Sequence, residues 1–230
     1  MLVKNWMSKN VITIGEEDSM QQAATLMREH RIRMLPVMGK GELVGILSDT
    51  DLKRASASDA TMLDIHELLY LISKIKISDI MTRNPITVPY DYTVEEAAQL
   101  LMERNISGVP VVDCDGKMVG IITRNDLFKI LISLSGLGKK GIQFAFLVDD
   151  KSGSIKNLAD VFRNHEGRIA SILSTYEYAP EGKRIVYFRI YDVDRSIMPD
   201  LIRELREKGT LIYLVDHRDN KRQIFLDMKA

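Results

Sequence analysis

Two stretches of the chain carry apolar residues at helical spacing: Met20, Ala23, Ala24 and Met27 in one, Val94, Ala97, Ala98 and Leu101 in the other. The i, i+3, i+4, i+7 pattern predicts an amphipathic helix in each. Ser19 and Thr93 stand just ahead, where a hydroxyl can accept from a first-turn backbone N–H. A short extended segment precedes each helix, Ile12-Thr13-Ile14 or Ile86-Thr87-Val88, and a strand follows it, Leu35-Pro36-Val37 or Val109-Pro110-Val111-Val112. Turn residues come next, Gly39-Lys40-Gly41 and Asp113-Cys114-Asp115-Gly116, the second a good hairpin signal. A further strand, Leu43 to Leu47 or Met118 to Ile122, then runs into another helix. The order is β-α-β-β-α, twice.

The copies match residue by residue. Met7-Ser8-Lys9-Asn10-Val11-Ile12-Thr13-Ile14 lies over Met81-Thr82-Arg83-Asn84-Pro85-Ile86-Thr87-Val88, and Pro36-Val37 over Pro110-Val111. After one inserted residue, Val44-Gly45-Ile46 and Asp51-Leu52 match Val119-Gly120-Ile121 and Asp126-Leu127. A shared offset with a single slip identifies an internal repeat. Between the copies, Ala55-Ser56-Ala57-Ser58-Asp59 reads as a small-residue linker. Met62, Ile65, Leu68, Leu69, Ile72 and Ile75 then predict a helix from Thr61 to about Lys74, its stripe packing on the core or on a partner subunit.

Ser133 to Gly141 changes character. Gly136-x-Gly138-x-x-Gly141 has the spacing of a dinucleotide fingerprint, but it follows a helix (Asp126 to Leu134) and precedes a strand, the reverse of what phosphate binding requires. It reads as a hinge. Beyond it the pattern is βαββαβ: a strand from Ile142 to Val148, a helix with Ile155, Leu158, Ala159 and Phe162 on one face, and strands Arg168 to Tyr176 and Lys183 to Tyr191. A second helix follows, with Ser196 as candidate cap, Pro199 in its first turn and Gly209 as its stop. Strand Thr210 to Val215 closes the domain, and Gln223-Ile224-Phe225-Leu226 reads as a short edge strand.

Composition narrows the function. Lys+Arg and Asp+Glu are both 32 among 230 residues, so no net basic charge points to nucleic acid. The one cysteine, Cys114, excludes a disulfide framework within the chain, and His30, His66, His165 and His217 are scattered without metal-ligand spacing. Neither a signal peptide nor a run of ~18 apolar residues is present, which leads us to expect a cytoplasmic protein that does not enter a membrane. No nucleophile elbow, phosphate-binding loop or metal triad is found, so no enzymatic activity is expected.

The chemistry that remains sits at one junction, written twice: Ser48-x-x-Asp51 and Thr123-x-x-Asp126, each where a strand feeds a helix. A single such pair reads as a helix cap. Two copies carrying Asp rather than the longer Glu or Gln admit a second reading, a site for a phosphate at the helix N-terminus and a ribose diol at the carboxylate.

The doubled unit, its Pro-Val strand and its Gly-Ile-x-[Ser/Thr]-x-x-Asp junction resemble a tandem pair of cystathionine-β-synthase (CBS) domains, a Bateman module. The resemblance implies clefts for AMP, ADP, ATP or S-adenosylmethionine. Carried onto matching positions, it implies nucleotide-binding roles for Thr13, Arg33, Ser48 and Asp51 in one copy and Thr87, Ser107, Thr123 and Asp126 in the other. Arg33 against Ser107 would make one cleft more basic. The last third resembles an ACT domain through its βαββαβ order and Asp150-Lys151-Ser152-Gly153-Ser154, a turn that in that family receives a small amino acid, here at Asp150, Gly153 and Ser154. Together the modules are similar to the bacterial acetoin-utilisation regulatory proteins. The expected class is therefore α+β, with repeats at residues 1–54 and 77–134, a linker and connecting helix at 55–76, a hinge at 135–141 and the ACT-like domain at 142–230. The expected function is ligand sensing by a homodimer that acts on a partner enzyme, the alternative being a scaffold that binds no ligand.

Overall fold

In the computed structural model, residues 1–58 and 74–227 are described. The predicted helix from Thr61 to Lys74 therefore lies almost wholly outside them; at its end, Ile75 packs against the core of the first repeat. The chain divides into two compact units, residues 1–128 and 129–230.

In the first repeat, β1 (Ile14–Gly15), α1 (Met20–His30), β2 (Met34–Gly39), β3 (Glu42–Ser48) and α2 (Asp49–Ser58) follow in the expected order. After α3 (Ile77–Ile80) and β4 (Thr82–Arg83), the second repeat supplies β5 (Val88–Pro89), α4 (Val94–Glu103), β6 (Gly108–Val112), β7 (Met118–Thr123) and α5 (Arg124–Leu134). Ser19 and Thr93 cap α1 and α4, each completing a capping box with Gln22 or Glu96. The β2–β3 turn has positive φ at Lys40 and Gly41, the geometry that a two-residue hairpin demands. Two expectations shift. The small-residue linker is helical as far as Ser58, because Ala and Ser do not break a helix once α2 has started. The extended segments also shrink to two residues, since β1 and β5 pair with β2 and β6 only from Ile14↔Val37 and Val88↔Val111 onward.

The repeats exchange their lead-in segments. Val3 is fully buried in the core of the second repeat, beside Val88, Leu101 and Val111. Its counterpart Ile77 is fully buried in the core of the first, beside Ile14, Leu35 and Leu47. Backbone bonds repeat the exchange: Val94 N donates to Met1 O at 2.8 Å and Met20 N to Ile75 O at 2.9 Å. β4 pairs with β3, and Ser8 bridges to Ile121 of β7. Where the lead-ins cross these strands, a Cβ at Gly45 would collide with the Met81 side chain, and one at Gly120 with Met7. That close approach is why both repeats carry Gly ahead of the junction.

The second unit contains β8 (Ile142–Asp149), α6 (Ser154–Asn164), β9 (Arg168–Thr175), β10 (Lys183–Tyr191), α7 (Met198–Lys208), β11 (Thr210–Asp216) and β12 (Lys221–Ile224). Its antiparallel sheet has the order β12-β11-β8-β10-β9. Phe144, Phe146 and Phe188 from one face meet Phe162 of α6, with ring centroids 5.1 to 6.4 Å apart. The expected cap Ser196 is corrected: Asp194 accepts from Ser196 N and Oγ, closing a 3₁₀ turn ahead of α7. The edge strand falls two residues earlier than expected, at Lys221–Ile224.

Candidate functional site

The last residue of β3, Ser48, is the N-cap of α2. Its N–H and Oγ donate to Asp51 Oδ2 at 2.9 and 2.6 Å, and Asp51 N donates back to Ser48 Oγ at 3.3 Å. The second copy repeats this, with Thr123 N and Oγ1 donating to Asp126 Oδ2 at 3.0 and 2.7 Å and Asp126 N to Thr123 Oγ1 at 3.3 Å. Both junctions are thus reciprocal helix caps closed by the shorter acid. Asp126 is 8% exposed, and Asp51 Oδ1 lies 3.8 Å from Arg54 Nη1. In each copy a carboxylate is held at the positive end of a helix, beside the backbone donors of its first turn.

The sheets bring the other candidates to the same end. Met34 faces Ser48 and Gly108 faces Thr123. Asp49 N donates to Arg33 O at 3.0 Å and Arg124 N to Ser107 O at 2.9 Å, which fixes Arg33 and Ser107 beside the starts of α2 and α5. Both side chains are exposed. Thr13 and Thr87 are half-buried and precede β1 and β5, which puts them one residue short of the strands that flank β2 and β6.

The copies are not equal. The first has Arg33 with Asp49, whose carboxylate accepts from Lys53 Nζ at 3.1 Å. The second has Ser107 with Arg124, whose Nη2 donates to Leu101 O at 3.3 Å and Asn105 Oδ1 at 3.2 Å. The second junction thus also has a basic residue next to it in the chain, Arg124 directly after Thr123, with its guanidinium held at the end of α4. Sequence reasoning missed Arg124; the difference between Ser48-Asp49 and Thr123-Arg124 was the signal for it.

In the second unit, Asp150 lies 3.4 Å from Arg184 Nε and 3.5 Å from Tyr176 Oη. Gly153 has φ +90° and precedes α6, which has no side-chain cap, and Ser154 is buried. Elsewhere, a shallow groove of about 350 Å³ runs along α1, lined by Asp18, Gln21, Gln22, Thr25 and Leu26. It includes neither junction and offers one carboxylate, which is already accepting from Gly15 N. Among the described residues no group of His, Cys, Asp and Glu is placed to hold a metal ion, and no helix is long and apolar enough to cross a membrane.

The model of the CBS domain matches residues 3–58 and 77–133. A CBS domain-containing protein of Dictyostelium discoideum is 36% identical over 135 residues, 58% of this chain and 93% of that protein. The crystal structure named as an acetoin utilization protein (AcuB), from Vibrio cholerae, is 26% identical, covers 61% of this chain and 96% of its own, and superimposes with a TM-score of 0.51. The CBS domain pair of protein MJ0100, solved with 5′-methylthioadenosine and S-adenosyl-L-methionine, is 36% identical over 57% of this chain and 95% of its own, with a TM-score of 0.49.

Proposed function

The chain belongs to the CBS-domain family, and from that premise we propose that it is a regulatory sensor of an adenosyl compound, AMP, ADP, ATP or S-adenosylmethionine. The observation that carries the reading is the duplicated junction. A hydroxyl and a carboxylate stand at the N-termini of α2 and α5, with one basic residue beside each, Arg33 or Arg124. A helix N-terminus with an arginine suits phosphate, and a carboxylate suits the two hydroxyls of a ribose. Asp51 and Asp126 take the ribose in this reading, Ser48 and Thr123 the phosphate side, and Thr13 and Thr87 the base. Arg33 and Ser107 set the charge each cleft prefers. Occupancy regulates by favouring one of two arrangements, to the extent that the ligand binds one of them more tightly.

Calorimetry of the full chain against AMP, ADP, ATP and S-adenosylmethionine tests this. Binding by one or more supports it; no heat from any, with no rise in melting temperature at millimolar ligand, overturns it in favour of the scaffold.

The second unit, in this proposal, is an ACT-like domain that takes a small amino acid at the Asp150–Ser154 turn. The positive φ of Gly153 and the uncapped start of α6 leave backbone donors there for a carboxylate. A panel of amino acids in the same calorimeter decides it. The protein works as a cytoplasmic homodimer on a partner enzyme. The apolar side chains Phe128, Leu131 and Ile132, all more than half exposed on α5, support pairing, which light scattering would measure.

A further inference from the structure

Arg189 of the second unit is 4% exposed, yet the groups it bonds to are neutral. Its Nε donates to Ser135 O at 2.6 Å and its Nη2 to Gln143 Oε1 at 3.2 Å. Its Nη1 is buried with no hydrogen-bond partner among the described residues. Neighbours Phe188 and Ile190 point into the phenylalanine core, so Arg189 points to the opposite face of the sheet.

Strand pairing carries that face across to the far edge. Arg189 lies opposite Gln143, Gln143 opposite Val215, and Val215 opposite Arg222 of β12. His217, two residues beyond Val215, continues the alternation, and its N–H donates to Gly141 O at 3.2 Å. His217 Nε2 is a second buried ring or guanidinium nitrogen with no hydrogen-bond partner among the described residues. The acid next to His217 in the chain goes the other way. Asp216 lies opposite Ile142 of the core face, where its carboxylate accepts from Arg195 Nε at 3.2 Å and from the backbone N–H of Arg218 and Asp219 at 2.9 and 3.3 Å.

Alternation therefore sorts charge, with Arg189, His217 and Arg222 on one face and Asp216 on the other. Protonation reflects the same excess of positive potential. Burial lowers the pKa of Arg189, and after burial the Arg189 and Arg222 charges lower that of His217, against the opposing effect of Asp216. A guanidinium taken out of water without a counter-charge costs stability, and an anion from solution would offset that cost.

We infer that this corner of the five-stranded sheet binds a small oxyanion, a carboxylate or a phosphate, between Arg189, His217 and Arg222. Arg189 Nη1 and His217 Nε2 are the donors, and Arg222, exposed on the edge strand, draws the anion toward them. Shielded from water, bonds from these groups to an anion are stronger than they would be at the surface. The site is distinct from the Asp150–Ser154 turn, which follows the far end of β8, roughly 20 Å from Gln143 at the rise of an extended strand.

An NMR pH titration of the His217 ring in the full chain tests this, with no adenosyl compound or amino acid present. The ring is followed in sodium chloride and then, at matched ionic strength, with increasing phosphate, sulfate or acetate. An anion at the site favours the imidazolium, so at least one of the three raises the His217 pKa in a saturable way. Acetate and phosphate separate the carboxylate from the phosphate. Arg222→Gln weakens the effect by roughly 10- to 100-fold in anion concentration, and Arg189→Met abolishes it. If Arg189→Met does not fold, Arg222→Gln, at an exposed position, decides alone. A pKa that none of the three anions moves overturns the site. So does a rise that is equal in wild type and variants, which is screening of charge and no more.

Discussion

The carboxylates of Asp51 and Asp126 carry one role that is observed and one that is proposed. Each closes a helix cap, accepting from the backbone N–H and hydroxyl of Ser48 or Thr123. Each is also the proposed ribose acceptor. The roles separate by experiment. Asp126→Ala removes the cap acceptor whether or not ligand is present, and should cost about 1 kcal/mol in urea denaturation of the free protein. The same change should weaken nucleotide binding by roughly 10- to 100-fold by calorimetry, because a charge-assisted hydrogen bond is lost. Loss of stability with unchanged affinity in both Asp51→Ala and Asp126→Ala would leave the junctions as caps alone. A second residue-scale expectation concerns His217. Burial lowers its pKa below the usual value of 6.5, and the Arg189 and Arg222 charges lower it further against the opposing effect of Asp216. The folded state therefore favours neutral His217. Its contribution is present above the unfolded pKa of about 6.5 and is lost as pH falls below it. His217→Gln should narrow the gap in melting temperature between pH 7.5 and pH 5.5; an unchanged gap would remove His217 from the acid response.

At the scale of elements, the exchanged lead-ins explain two glycines that would otherwise look like chance matches. Ala at Gly120 places a Cβ against Met7 with Ser8 O only 3.0 Å off, and should destabilise the protein by about 1–3 kcal/mol. Combining it with Met7→Ala should recover part of that loss, since the side chain can be removed but the backbone oxygen cannot; strict additivity in the double-mutant cycle would contradict the contact. The helices and strands were legible because alternation and helical spacing are local. Ile12-Thr13-Ile14 nonetheless shrank to a two-residue strand, because its length depends on where β2 begins to pair, and Ala55-Ser56-Ala57-Ser58 looked like a linker because small residues carry no apolar stripe. The exchange itself could not be read. Aligning Val3 with Ile77 says that they are equivalent, not which core each one enters. The same limit hid Arg124: repeat comparison weighed Arg33 against Ser107 and passed over the residue that follows Thr123. Preference for Glu at the third helical position had also argued against a cap, yet Asp reaches the N-cap N–H at 2.9 Å in one copy and 3.0 Å in the other.

For the molecule as a whole, the exchange means that neither repeat is a complete folding unit, and time enters the matter. During synthesis the chain emerges from its N-terminus. When residues 9–58 leave the ribosome, Ile77, Met81 and β4 have not yet been made, and the first core lacks its floor. Val3 and Met7 are meanwhile already waiting when the second repeat appears, so the second core needs nothing made after its own strands, whereas the first must wait for residues 77–83. A chain stopped at residue 70 should therefore remain protease-sensitive throughout, whereas one extended past residue 83 should protect residues 14–48. Removing residues 2–8 should raise amide exchange in 88–122 and spare 14–48, an injury that appears some 80 residues away in sequence from the cut. Protection lost chiefly at 14–48 would mean that each lead-in serves its own repeat after all.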